Sequence, residues 1–212
     1  MRLPRRPLTR ILLVVLLVGG IAAVLARRPL LSSAGALLIV EESAPTADVA
    51  VMTTEAGHAG LLELADLYQR KAVVRVAVLT RARTRATREI ERRGVILESP
   101  VTMLAVLGVP ASAVITIPAG EGGTTEGTAS VAAWCAGQNI HRLMIVTSMG
   151  HSRRIQRAMR RSLKGSGPEV IMHPAPYDAF RPATWWQNRT TLREGLVELQ
   201  KLLLDYVSHP LG

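Results

Sequence analysis

A histidine with two arginines close behind it, directly after an apolar run, is the pattern in this chain with the clearest chemical promise. Leu143, Met144, Ile145 and Val146 form the run; Thr147, Ser148, Met149 and Gly150 turn the chain, and His151, Arg153 and Arg154 follow. An unbroken apolar run reads as a strand covered on both faces of a parallel sheet. In open α/β sheets, ligands bind at the carboxyl ends of the strands. Imidazole titrates near neutral pH and suits general acid or base work. Guanidinium groups present a planar fork to phosphate or carboxylate. The segment therefore predicts a strand-end site in which His151 moves a proton, and Arg153 and Arg154 clamp an anion beside a helix N-terminus.

Further candidates follow other strands. The loop PAGEGGTTEGTAS, residues 118–130, ends in a helix start where Thr124 or Thr125 can cap and Glu126 falls in the first turn. Glu126 is expected to orient His151 or to exchange a proton with it. The loop TTEAGHAG carries Glu55 and His58 after the first strand. Ser148, Thr125, Glu55 and Asp178 are expected to complete the ligand contacts, with Asp178 meeting an arginine of the His-Arg-Arg segment. Glu198 and Lys201, three residues apart, read as a helix-surface pair. There is no G-x-G-x-x-G, no P-loop lysine and no serine nucleophile elbow. No spacing of metal ligands is visible, and no cofactor is implied. The single cysteine, Cys135, leaves no internal disulfide.

The elements that must position these residues alternate. Strands are predicted at Asp48–Thr53, Arg75–Thr80, Ala113–Ile117, Leu143–Thr147 and Glu169–His173. Helical patterns lie between them, at Arg83–Arg93, Ser99–Leu107, Thr125–Gln138 and after His151. A long terminal helix carries Leu192, Leu196, Leu199 and Leu203 at helical spacing. This alternation implies an α/β, Rossmann-like three-layer sandwich with a mainly parallel sheet.

The N-terminus is a separate matter. Six of the 26 basic residues lie in the first 28 positions, and all 16 acidic residues lie beyond them. The remainder carries 20 basic against 16 acidic residues, a net of +4, so the formal charge of +10 is largely N-terminal. A folded domain with so small an excess argues against nucleic acid as a partner. The uncharged run from Ile11 to Ala26 spans about 24 Å as a helix, short for a hydrocarbon core of about 30 Å. Four arginines before it and two after it set the N-terminus in the cytoplasm. We expect residues 1–28 to form a basic segment and a single-pass inner-membrane anchor, 29–46 a connector, and 47–212 an extracytoplasmic domain. A signal peptide cleaved after Ala26 is the alternative.

TSMGHSRRIQRAM resembles the S-x-x-H-x-R-R signature of the YdcF-like family, which includes the SanA-like and ElyC-like envelope proteins. ADVAVM is similar to that family's first strand, and LGVPASAVITIPAGEGGTTEGTAS to its segment leading into a T-x-x-E helix start. APYDAFRPATWWQNR and VELQKLLLDY resemble its tyrosine-aspartate, paired-tryptophan and E-x-x-K elements. The chain departs from the pattern in having Thr53, Thr54 and Glu55 after the first strand, and Gly122, Gly123 and Thr124 before the T-x-x-E region. The resemblance implies a Rossmann-like domain and a role in peptidoglycan, polysaccharide or lipid-carrier metabolism. It supplies no reaction. Two functions follow as expectations: an envelope protein acting on a phosphate-bearing or glycan-linked ligand, or a non-catalytic module binding a nucleotide-like or anionic glycan ligand at the membrane.

Overall fold

Five apolar runs pair into one all-parallel sheet in the computed structural model, which describes residues 5–120, 123–165 and 167–210. The strands are β1 (Ala47–Met52), β2 (Val73–Arg81), β3 (Val114–Ala119), β4 (Arg142–Thr147) and β5 (Glu169–Pro174), in spatial order β3-β2-β1-β4-β5. β1 and β4 are covered on both faces, and Val49, Ala50, Val51, Leu143 and Val146 are fully buried. The α/β, Rossmann-like fold expected from the alternation is the one observed.

Two layers of helices enclose the sheet. On one face α2 (Gly57–Gln69) and α4 (Pro100–Val106) bring Leu61, Leu64, Leu67 and Leu104 onto Ala50, Val76, Val78 and Met144. On the other, α5 (Thr124–Ala136) and α6 (Ser152–Leu163) bring Val131, Cys135, Ile155 and Met159 onto Val51, Ala77, Leu143 and Ile145. Strand side chains point alternately up and down, so each strand feeds both cores. Asp48 fixes the β1–β4 junction by accepting the backbone N–H groups of His141 (2.7 Å) and Arg142 (2.9 Å). Those two donors hold its carboxyl below the usual aspartate range.

The chain runs β1, β2, β3 outward in one direction and then returns past β1 to β4 and β5. The carboxyl ends of β1 and β4 are therefore the topological switch point, where loops diverge and a crevice opens. Thr53 and Thr147 meet there, hydroxyl to hydroxyl, at 2.9 Å.

The N-terminal helix α1 (Arg5–Ala36) is longer than the sequence pattern suggests, running through Pro29 and into the predicted connector. Its stretch from Ile11 to Ala36 is long and apolar enough to cross a membrane. The helix ends docked: the Leu31 carbonyl accepts the Trp185 indole N–H at 2.8 Å. Gly35 lies so close to that ring that a Cβ would stand 2.7 Å from Trp185 Cδ1. Beyond α1, Leu37, Leu38 and Ile39 lie against the start of α6. Glu42 reaches the middle of β5, accepting from Met172 N–H (2.8 Å) and Gln156 (2.9 Å). The connector thus descends along the β5 edge, from the carboxyl side of the sheet to the start of β1, and covers an otherwise open strand edge.

The last helix, α7 (Arg189–Ser208), packs only part of its leucine spacing, with Leu192 and Leu199 against the core. Leu196 and Leu203 are 54% and 65% exposed, while Thr191, Gly195, Glu198 and Leu202 form the buried stripe. Gly195 decides this orientation: Trp185 needs a surface without a side chain, and a Cβ at Gly195 would lie 2.4 Å from Trp185 Cε3.

Candidate functional site

β4 delivers its side chains to the carboxyl edge and ends in a short 3-10 turn, Met149–His151, that leads directly into α6. Three residues separate Ser148 from His151, one turn of such a helix, so both side chains face the same way. Ser148 Oγ lies 2.5 Å from His151 Nδ1. On the other side of the ring, Nε2 lies 3.2 Å from Glu198 Oε1. Ser148 is unstrained, with φ −66° and ψ 150°, and so differs from a nucleophile elbow.

Glu198 is 2% exposed and sits at the centre of the constellation. Its Oε2 accepts from Arg154 Nε at 2.7 Å, and its Oε1 from Lys201 Nζ at 2.9 Å. Burial pushes the Glu198 carboxyl up, but hydrogen bonds from His151, Arg154 and Lys201 outweigh it and hold the group at about 2. An ionised Glu198 only accepts, so it selects the imidazole tautomer with the proton on Nε2. Nδ1 is then free to accept the Ser148 O–H. The arrangement can polarise a serine hydroxyl, which is general-base geometry.

Asp178 holds the turn rather than meeting an arginine of the His-Arg-Arg segment. It accepts from Met149 N–H (2.7 Å) and Phe180 N–H (2.9 Å), tying the loop after β5 to the end of β4. Asp178, Ser148, His151, Glu194 and Glu198 line a narrow cleft of about 10 Å³, room for about one water, together with Phe180 and Gly195.

The two arginines part company. Arg154 is directed to Glu198 and, at 2.5 Å, to the Thr124 hydroxyl, so it joins α6 to both α7 and α5. Arg153 turns the other way: its guanidinium donates to the carbonyls of Leu37 and Ile39, and its backbone N–H donates to the carbonyl of Leu38. Arg153 clamps the connector, and consecutive helical residues cannot share a face. Arg154 also lines a basic groove of about 240 Å³ with Thr124, Thr125, Arg161, Lys201 and His209. In it Asp205 accepts from Arg161 (2.6 Å) and Arg157 (2.5 Å).

Glu126 is not brought to His151 by any hydrogen bond or ion pair among the described residues. Its side chain folds back over Gly120, where a Cβ would be 1.9 Å from Glu126 Oε2. The carboxylate that meets His151 comes instead from α7, at Glu198. Gly123, with φ +73°, occupies the cap position of α5 in place of a threonine. Thr124 is thereby left in the first turn, where it meets Arg154. Glu55 pairs with Arg81 at 3.6 Å across a separate small crevice of about 20 Å³, over the ends of β1, β2 and β3.

Glu198 was legible as part of an E-x-x-K element but not as a buried group. The signal that could have found it is its place on the Thr191, Gly195, Glu198, Leu202 stripe, a carboxylate on the packing face of a helix. Among the described residues no group of three His, Cys, Asp or Glu side chains is arranged to hold a metal ion. No family model matches the chain, and no curated protein is significantly similar to it.

Proposed function

We propose that this protein is a membrane-anchored cell-envelope protein that binds a small anionic ligand at the carboxyl edge of its sheet, with His151 as its proton-transfer group. The observation that carries the reading is the continuous relay from Ser148 through His151 to the ionised Glu198. His151 acts as general base toward the Ser148 hydroxyl, or toward a ligand hydroxyl that displaces it from Nδ1. Glu198 keeps the ring in the required tautomer and stabilises the imidazolium that forms. Arg154 and Lys201 keep Glu198 ionised, and with Arg161 they give the adjoining groove its positive charge. A phosphate or carboxylate group of the ligand occupies that groove.

The resemblance to YdcF-like proteins supports peptidoglycan, polysaccharide or lipid-carrier metabolism as the setting. The length and apolar character of α1, with arginines on both sides of the run, support a single inner-membrane span with the N-terminus cytoplasmic and the domain outside.

A second reading, a binding module without turnover, is favoured by one observation. Ser148 lies in unstrained extended backbone, φ −66° and ψ 150°, without the strained turn that exposes a nucleophile. Treatment of the detergent-solubilised full chain with a fluorophosphonate separates the two. Adduct formation at Ser148, abolished in Ser148→Ala and strongly slowed in His151→Ala, supports the nucleophilic relay. Failure of Ser148 to react in the folded wild type, with pyrophosphate binding intact and weakened by Arg161→Ala, leaves the binding module. Absence of both overturns the proposed site.

A further inference from the structure

The helix α3 (Arg85–Arg92) buries no residue of its own, an unusual state for a helix in a packed α/β domain. It leaves the sheet at the carboxyl end of β2, capped by the Thr84 hydroxyl, which accepts from Thr87 N–H at 3.1 Å. It closes on Gly94, with φ +85°, through paired bonds from Gly94 N–H to Glu91 O and Val95 N–H to Ile90 O. This Schellman-type turn ends the helix and leads the chain into the residues that follow. They are apolar and open to solvent: Ile96 is 94% exposed, Val95 51%, and Leu97 and Ile90 each 41%.

Charge accompanies this apolar tip. Residues 81–93 hold six arginines against Glu89 and Glu91. The two glutamates are occupied by Arg92, Arg93 and Arg83. Arg85 and Arg88 form no ion pair among the described residues. Exposed arginines beside an exposed apolar tip, on a short amphipathic helix, are the composition of a segment that lies in a membrane interface.

Position selects the same partner. α1 meets the domain at the carboxyl edge of the sheet, because the connector runs from Ala36 past the start of α6 and down the β5 edge. α3 stands on that same edge. From Arg28 to Ala36 the helix rises about 12 Å. α1 and α3 thus leave the domain from the same edge of the sheet.

We infer that α3 and the Val95–Leu97 tip form a second membrane contact, an arginine-rich foot that docks on anionic lipid headgroups and inserts Ile96 at the interface. This rests on the proposal that α1 spans the membrane. With anchor and foot both engaged, the domain is held with its carboxyl edge, and so the His151 site, turned toward the lipid surface. Each arginine near an anionic surface contributes about 1 kcal/mol, roughly a fivefold change in the docked-to-free ratio.

The test uses the full chain in nanodiscs, with an environment-sensitive fluorophore on Ile96→Cys. Native Cys135 stays in place, since its thiol is buried, and unmodified protein supplies the labelling background. Expected results are blue-shifted emission and quenching by lipid-borne nitroxides in discs containing phosphatidylglycerol, both diminished by salt and in phosphatidylcholine discs. Arg85→Ala and Arg88→Ala should each lower the docked-to-free ratio about fivefold. A probe at Val74, 74% exposed at the opposite end of β2, should stay aqueous. An Ile96 probe that remains aqueous in anionic discs overturns the foot. So does shielding that persists in detergent and grows with protein concentration, since the cover is then a second copy. Alkaline carbonate extraction of proteoliposomes reports the anchor separately: release of the chain refutes the α1 span whatever the Ile96 probe reads.

Discussion

Replacing Glu198 by glutamine tests the electrostatic reasoning at the site, because it keeps the shape and removes the charge. The wild-type carboxyl titrates at about 2, against 4.5 for an unperturbed glutamate. At 1.36 kcal/mol per pKa unit, that difference corresponds to about 3 kcal/mol of stability at neutral pH. Loss of one partner from a buried ion pair typically costs a similar amount, about 3–5 kcal/mol, because the remaining charges stay desolvated. For a chain of this size, about 3 kcal/mol lowers the melting midpoint by about 6–12 °C. The sign with pH is fixed by the direction of the shift. A folded-state value below the unfolded one gives a contribution that is complete above about pH 4.5 and drains away as pH falls toward 2. Glutamine cannot titrate, so the gap between wild type and variant should close over that window. Asp48 and Asp205, whose carboxyls are also held low, destabilise both proteins equally and cancel in the difference. Thermal unfolding of both full-length chains in the same detergent, followed by near-ultraviolet circular dichroism from pH 7 to 2.5, measures the gap. A difference under 1 kcal/mol at pH 7, or one that stays constant down to pH 2.5, refutes the assignment of Glu198 as the charged hub.

Other consequences are as direct. Gly195→Ala should destabilise by about 1–3 kcal/mol, because its Cβ collides with the rigid Trp185 ring; Gly35→Ala presses the same ring from α1, so melting midpoints of the pair should reveal coupling. Arg153→Ala frees the carbonyls of Leu37 and Ile39, and limited proteolysis should then cut residues 37–40 faster, while Arg154→Ala leaves that rate unchanged. Burial pushes the Cys135 thiol up to about 11, so maleimide at pH 8 should label it slowly in the folded chain and rapidly in urea. Fast native labelling would contradict its place in the core.

Periodicity alone determined the architecture of this protein. Apolar runs such as Val49–Met52 and Leu143–Val146 can only be satisfied between two helical layers, and the intervening amphipathic helices supply them. The placement of Ser148, His151 and Arg154 at the carboxyl edge of the sheet was equally legible, because they follow a buried strand directly, and local turn geometry sets the serine against the histidine. Tertiary structure decided the rest, because the deciding contacts link residues far apart in the chain. His151 takes its carboxylate from Glu198, 47 positions on, and not from Glu126, since α7 lies along α6 while the Glu126 side chain folds back over Gly120. Arg153 and Arg154 look equivalent in sequence, yet consecutive helical residues diverge, and only the path of the connector explains why one binds carbonyls and the other a carboxylate. Leucine spacing located only half of the packed face of α7: Leu192 and Leu199 pack on the core, but a glycine fitting against a tryptophan leaves Leu196 and Leu203 outside. A sequence pattern records which faces are apolar; which of those faces meet is set by shape, and shape exists only once the chain has folded.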